Sequence, residues 1–200
     1  LYENISSIKV YRSFNHGKKK YWKLVNKIFD VMSEERTDYY IYLADDLQVG
    51  PNFFSEALET WINIQDPKKV SLNLLSDHRE ECWTRFKRKL VSFGECEVYL
   101  TQWLDMAIMF DRSLLRYRLN AIPPIIWEKN PNYSSGVGAQ LSTRFHSAGL
   151  HMYQVARTLC AHGSHLSVMN PGERLSNPLN ETGEIVVAKS KRAYAIEMFQ

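Results

Sequence analysis

The segment Tyr39-Tyr40-Ile41-Tyr42-Leu43 is a nearly unbroken apolar run of strand length, and it ends on Ala44-Asp45-Asp46. Apolar residues in an unbroken run, rich in aromatic and β-branched side chains, are the pattern of a strand covered on both faces, as in the sheet of an α/β domain. Two adjacent carboxylates cannot enter such a core unpaired, because burying a lone charge costs on the order of several kcal/mol. The strand must therefore stop where the acids begin. That places Asp45 and Asp46 at the carboxyl end of a sheet strand, where open α/β sheets bind their ligands.

The remaining chain supplies elements that fit such a sheet. Ile8 to Phe14 alternates as a short strand, and the loop Asn15-His16-Gly17 ends it. From Lys18 the residues Tyr21, Leu24, Val25, Ile28, Phe29 and Met32 recur at helical spacing, which predicts an amphipathic helix to about Ser33. After the acidic turn, Gly50-Pro51 starts a helix whose inner face reads Phe54, Ala57, Leu58, Trp61 and Ile62, and Asp66-Pro67 stops it. Val70 to Leu75 reads as a strand, Cys82 to Leu90 as a short helix, and Met106 to Phe110 as a strand. Pro123-Pro124 and Asn130-Pro131 mark a long loop, after which Ser134-Ser135 cap a helix carrying Val137, Leu141 and Phe145. Gly149 suits the left-handed position that ends this helix, and Leu150 to Val155 is a further strand. Gly163 to Gly183 is rich in turn formers and reads as loop. The alternation of strands and helices predicts an α/β/α sandwich, Rossmann-like, on a mostly parallel sheet. Residues 1–183 form one unit in this reading, with 184–200 as an extension or linker.

A length of 200 residues with 44% hydrophobic content allows one domain with a full core. The 25 basic and 22 acidic residues, net charge +3, are interspersed, which speaks against nucleic acid as the partner. The basic clusters Lys18 to Lys20 and Arg85 to Lys89 read as solvated helix faces. No apolar run reaches the length of about eighteen residues that a membrane helix needs. Cys82, Cys96 and Cys160 lack metal-ligand spacing, and an odd count is a poor disulfide framework. Three sequons, at Asn4, Asn132 and Asn180, leave both the cytoplasm and a secretory lumen open.

Hard divalent ions such as Mn²⁺ and Mg²⁺ take one or two carboxylates together with substrate phosphate oxygens, so the acidic turn suits a metal and diphosphate site. The stretch from Tyr39 through Asp45-Asp46 to Gly50-Pro51-Asn52-Phe53-Phe54 resembles the Asp-X-Asp region of glycosyltransferases with the GT-A fold. It is similar to the Glu-Asp-Asp variant of the N-acetylglucosaminyltransferase I family, where a proline and a Phe-Phe pair also open a helix. The resemblance implies that Asp46 ligates the metal with Asp45 in support. Ala44 stands where the first acid usually helps to hold the ribose. A second segment, Thr158-Leu159-Cys160-Ala161-His162-Gly163-Ser164-His165, is similar to the His-Gly segment that closes many such domains. There His162, in a loop after a strand, completes the metal shell or touches the diphosphate.

The resemblance spans Ile8 to Ser167, with dense matches at these two places and at the Asn-X-Gly loop. It implies a metal-dependent transferase that moves a sugar from a UDP- or GDP-sugar to a hydroxyl of a glycan or glycoprotein. The acidic turn comes early for this family, which predicts that the unit recognising the nucleotide base is missing from this stretch. An inverting enzyme needs a carboxylate base. Glu128, in Trp127-Glu128, resembles the family's base, and Asp105 is the alternative. Ser134-Ser135 stands where many inverting relatives carry Glu-Asp; a retaining enzyme needs no such base, and Gln140 would then line the sugar or lie on an exposed helix side. Trp103, Trp127 and Tyr133 are aromatic platforms for sugar rings. Asp77 and His78 border the acceptor, and Arg174 pairs with a phosphate. The competing class is a non-catalytic nucleotide-sugar or carbohydrate binding module on the same fold. A phosphotransferase would want a Gly-rich phosphate loop, which the sequence lacks.

Overall fold

The computed structural model describes residues 17–44, 47–76, 88–104, 107–121 and 137–162. In chain order the elements are α1 (Gly17–Glu34), β1 (Tyr39–Leu43), β2 (Leu47–Val49), α2 (Phe53–Asn63), β3 (Lys69–Asn73), β4 (Arg88–Phe93), β5 (Cys96–Thr101), β6 (Ala107–Asp111), α3 (Arg112–Ala121), α4 (Val137–Ser147), β7 (His151–Val155) and β8 (Cys160–His162). The expected strand Ile8 to Phe14 and the tail 184–200 lie outside the described residues.

Six strands form a mixed sheet in the order β1-β6-β3-β7-β5-β4, and β2 pairs with β8 in a separate two-stranded sheet. Only β3 and β7 are parallel neighbours; the other pairs are antiparallel. The expected mostly parallel sheet is thus replaced by a mostly antiparallel one. Two segments cause this. Residues Arg88 to Leu90, expected at the end of a helix, instead start β4, and β4 and β5 form a hairpin closed by Gly94-Glu95. Gly94 has φ 62, the left-handed value that a two-residue hairpin turn with Gly first requires. The chain then enters β6 with no intervening helix, and β6 inserts antiparallel between β1 and β3. Because β6 opposes both neighbours and β3 is parallel to β7, strands β1, β3 and β7 still run in one direction.

The expected helix after residue 18 is α1, and Val25, Ile28 and Phe29 bury its inner stripe. Phe29 meets the rings of Tyr42 and Phe110 edge-on at 6.4 and 5.8 Å, while Tyr40 stacks on Phe110 at 5.5 Å. On β1, Tyr40 and Tyr42 are buried, whereas Tyr39 is exposed and Ile41 and Leu43 are half-buried. Covering is complete on one face only, because β1 ends the sheet among the described residues and pairs with β6 alone. Tyr39 points to the other face, where it shares a recess with Trp61 of α2. Helices therefore lie on both faces of the sheet. Among the described residues no helix is long and apolar enough to cross a membrane.

In α2 the buried face is Phe53, Ala57, Trp61 and then Ile64, while Phe54 and Ile62 are exposed. Of the expected face, Ala57 and Trp61 are buried and Leu58 is half-buried, but Phe53 is buried in place of Phe54 and Ile64 in place of Ile62, since Pro51-Asn52 form a turn first and the helix begins at Phe53. Helix α4 buries Val137, Leu141 and Phe145 as expected. Its end follows a glycine C-cap: Gly149 has φ 68, and the Leu150 N–H donates to the Phe145 carbonyl at 2.9 Å. Beneath α4 runs the connection from β5 to β6. The Leu104 N–H donates to Ser142 Oγ at 2.7 Å, and that hydroxyl donates to the Gly138 carbonyl at 2.7 Å. A Cβ on Gly138 would stand 2.3 Å from the Leu104 carbonyl oxygen.

At the opposite edge, Asp66 joins the end of α2 to β7. Its carboxylate accepts from Tyr153 Oη at 2.7 Å, His151 Nδ1 at 2.6 Å and the Lys68 N–H at 2.9 Å. Burial alone raises the Asp66 pKa, but the bonds from Tyr153, Lys68 and His151 outweigh it and hold the group below its usual value. Burial and the bond to Asp66 push Tyr153 up.

Two outcomes follow from this packing. Gly138→Ala gains about 1 kcal/mol of helix propensity but forces a methyl onto a backbone oxygen, a clash of about 3 kcal/mol. The clash wins, so the urea midpoint falls by an amount matching roughly 2 kcal/mol or more. Asp66 is lowered relative to the unfolded chain, so its contribution is complete above about pH 4 and is lost as pH falls through the folded value. Asp66→Ala costs about 2–3 kcal/mol near neutral pH and flattens the acid limb of a urea stability profile.

Candidate functional site

The carboxyl ends of β1, β3 and β7 share one edge of the sheet, and short backbone bonds gather the chain there. Leu43, the last residue of β1, pairs with Ala107, the first of β6. The Ala107 carbonyl accepts from the Leu74 N–H at 2.8 Å, and the Leu74 carbonyl accepts from the Leu159 N–H at 2.9 Å. One peptide position past β3 thus ties the start of β6 to the segment that follows β7. Next to it, the Ser76 N–H donates to Thr158 Oγ1 at 3.1 Å. Thr158 Oγ1 in turn donates to the Cys160 carbonyl at 2.8 Å.

The two segments singled out in the sequence meet on this edge. The Leu47 N–H bonds back to the Ala44 carbonyl at 3.3 Å, closing the chain on either side of Asp45-Asp46. Strand β2 then pairs antiparallel with β8, in the register Leu47↔His162, Gln48↔Ala161 and Val49↔Cys160. The backbone of His162 therefore lies opposite the residue that follows Asp46. His162 is part of a strand and not of a loop, a correction that follows from its ladder to β2. Cys160 and Ala161 are buried, so this small sheet is anchored in the core.

Asp45, Asp46, Asp77, Asp105, Trp127, Glu128, Tyr133 and Arg174 lie outside the described residues, as do His78, His165 and the side chain of His162. The described chain leads to four of these acids from the same edge: Ala44 and Leu47 flank Asp45-Asp46, Ser76 precedes Asp77, and Leu104 and Ala107 flank Asp105-Met106. Trp103 is half-buried; its carbonyl accepts from Asn73 Nδ2 at 2.8 Å, and its N–H donates to Thr101 Oγ1 at 3.1 Å. Gln140 is buried rather than on the exposed side of its helix, and its Oε1 lies 3.5 Å from Arg144. Among the described residues no group of three or more His, Cys, Asp or Glu side chains is arranged to hold a metal.

Two open recesses lie at the other edge, of about 470 and 600 Å³. The first contains Asp66 and Lys69, whose charges are already used: Lys69 Nζ donates to the carbonyls of Trp61 and Ile64 and sits 4.2 Å from the Trp61 ring. Burial lowers the Lys69 pKa. The second mixes Arg36, Arg112 and Arg116 with Asp38 and Asp111. Neither adjoins the edge that carries the acidic turn, and strand direction is the better guide to the site than recess size.

The residues that sequence reading passed over are the polar groups beneath this edge: Asn73, Ser76 and Ser142, which are buried, and Gln154 and Thr158, which are half-buried. Their signal was present. Asn73 interrupts an apolar strand, and a buried polar side chain in such a place calls for a hydrogen-bond partner, here the Trp103 carbonyl. Comparison with protein-family models, curated proteins and solved structures gave no match.

Asn73 is buried and supports the connection that leads to Asp105. Asn73→Ala removes the shorter of two side-chain bonds to the Trp103 carbonyl, leaving that from Thr101 Oγ1 at 3.5 Å, and is expected to cost about 1–3 kcal/mol. Faster amide exchange at Trp103 and Leu104 than elsewhere in the sheet is the expected local sign, read by hydrogen-exchange mass spectrometry.

Proposed function

We propose that this chain is part of a metal-dependent glycosyltransferase with a GT-A-like catalytic domain, transferring a sugar from a nucleoside-diphosphate sugar to a hydroxyl of a glycan or glycoprotein. The observation that carries this reading is the β2–β8 ladder. It sets Leu47 against His162, so the acidic turn and the His-Gly segment, distant in sequence, are neighbours. Nothing in the composition demands that pairing, and a metal clamp built from both segments does.

The donor types suit the task. A carboxylate from Asp46, a second from Asp45 and a neutral imidazole from His162 are a fitting set for Mn²⁺, with Mg²⁺ better served by the carboxylates alone. Bound there, the metal would neutralise charge on the departing diphosphate of a UDP- or GDP-sugar. The chain's own groups supply the rest: Arg174 a cation for a phosphate, and Trp103, Trp127 and Tyr133 apolar faces for sugar rings. Asp105 or Glu128 takes the acceptor proton in an inverting reaction. Asp105 gains support from the fold, since Ala107 pairs with Leu43 at the foot of the acidic turn.

The second reading is a binding module that has lost catalysis. Ala44 in place of an acid and Ser134-Ser135 in place of Glu-Asp favour it. Both readings predict binding, and only the enzyme predicts turnover.

The test is a panel of UDP- and GDP-sugars with Mn²⁺. A ligand at about 100 times its dissociation constant stabilises the protein by about 2.7 kcal/mol, an upward shift of several degrees in melting temperature. Asp46→Ala removes that shift and removes Mn²⁺-dependent release of nucleoside diphosphate. Stabilisation without release in the wild type selects the binding module. No stabilisation by any member rejects both.

A further inference from the structure

A chain of hydrogen bonds runs beneath the candidate site from β7 to β8. Gln154 Nε2 donates to Ser76 Oγ at 3.0 Å, the Ser76 N–H donates to Thr158 Oγ1 at 3.1 Å, and Thr158 Oγ1 donates to the Cys160 carbonyl at 2.8 Å. Ser76 and Cys160 are buried, and Gln154 and Thr158 are half-buried. One hydroxyl therefore both accepts from the segment ahead of Asp77 and donates to the first residue of β8. Backbone bonding fixes its neighbour, since the Leu159 N–H reaches the Leu74 carbonyl. The first peptide of β8, through the Cys160 carbonyl, is held by the Thr158 side chain.

We propose that Thr158 is a positioning residue for the metal clamp: its hydroxyl sets the direction in which the chain leaves β7, and so the register that places His162 opposite Leu47. A backbone carbonyl and a backbone N–H that lie beneath a core must both be satisfied. Threonine serves both with one atom, whereas valine, of the same shape, can bond to neither. The cost of that loss falls on the turn at residues 156–159 and on β8, because β3 and β7 keep their own ladder. The same hydroxyl joins Ser76, past β3, to Cys160 at the start of β8. In its consequence for metal affinity this inference rests on the metal reading of Asp46 and His162. In its consequence for the backbone it stands alone.

The experiment compares Thr158→Val and Thr158→Ser with the wild-type full chain by two readouts. Without metal, hydrogen-exchange mass spectrometry follows a peptide covering residues 158–162. Thr158→Val is expected to exchange there about tenfold faster, while the sheet peptides and melting temperature stay near wild type. With Mn²⁺ alone as probe, read by titration calorimetry, its affinity falls about tenfold, the range seen when a group that orients a metal ligand is removed. Thr158→Ser keeps the hydroxyl and restores both. Unchanged exchange in Thr158→Val, or unchanged Mn²⁺ affinity beside a wild type that binds, overturns the inference. So does failure of Thr158→Ser to restore either readout, or global unfolding of Thr158→Val, since the residue would then be a general stabiliser. A wild type that binds no Mn²⁺ overturns the proposed function instead, and the exchange comparison still decides the role of Thr158.

Discussion

The peptide groups of Leu74 hold together the sheet edge that carries the candidate site. Past the last ladder residue of β3, the Leu74 N–H reaches Ala107 and its carbonyl receives Leu159, while its side chain is fully buried. A buried backbone group must find a partner, and here one partner is the first residue of the neighbouring strand β6 while the other lies in the segment that follows β7. That requirement brings the entry to β6 and the exit from β7 to one place. With Leu43 pairing Ala107 on the far side, the end of β1 joins them. Strand direction does the rest: β1, β3 and β7 run together although the sheet as a whole is mostly antiparallel.

Polar side chains in the interior serve the same end. Asn73 holds the Trp103 carbonyl, Ser142 receives Leu104, and Thr158 joins Ser76 to Cys160. Each lies under a segment that leads to a candidate site residue. Apolar burial supplies the stability of such a core and is not directional. Hydrogen bonds of fixed geometry choose one arrangement of loops from among many of similar burial. Gly138 belongs to this set for a steric reason, since α4 approaches Leu104 too closely for any side chain.

Much of the helical layer was legible in the sequence. The stripes of α1 and α4 have a long period and clear ends, and Gly149 marked a left-handed stop that the backbone adopts. Strand β1 was legible as a strand but not as a sheet edge, because an apolar run does not say how many neighbours it has. The hairpin of β4 and β5 was misread. Lys89, Leu90 and Ser92 expose much of its surface, and Phe93-Gly94-Glu95-Cys96 carried the turn signal. The sheet's mixed direction followed from that error and from a crossover without a helix. For the site, the acidic turn and His162 stood out by residue type. Their adjacency did not, since a ladder between two three-residue strands has no local pattern to read. On α2, Ala57 and Trp61 were legible, but the first buried residue is Phe53 and not Phe54 for a comparable reason: the start of a helix depends on a turn whose bonds lie in the backbone.

The central claim is that one metal joins the acidic turn to β8. Pulsed electron paramagnetic resonance of Mn²⁺ bound to the chain with UDP or GDP reads that joint directly, because a ligating imidazole nitrogen modulates the manganese signal. The account predicts nitrogen modulation in the wild type and its disappearance in His162→Ala, with Mn²⁺ still held more weakly by the carboxylates. Modulation that persists in His162→Ala, or Mn²⁺ bound with no nitrogen coupling at all, would contradict it.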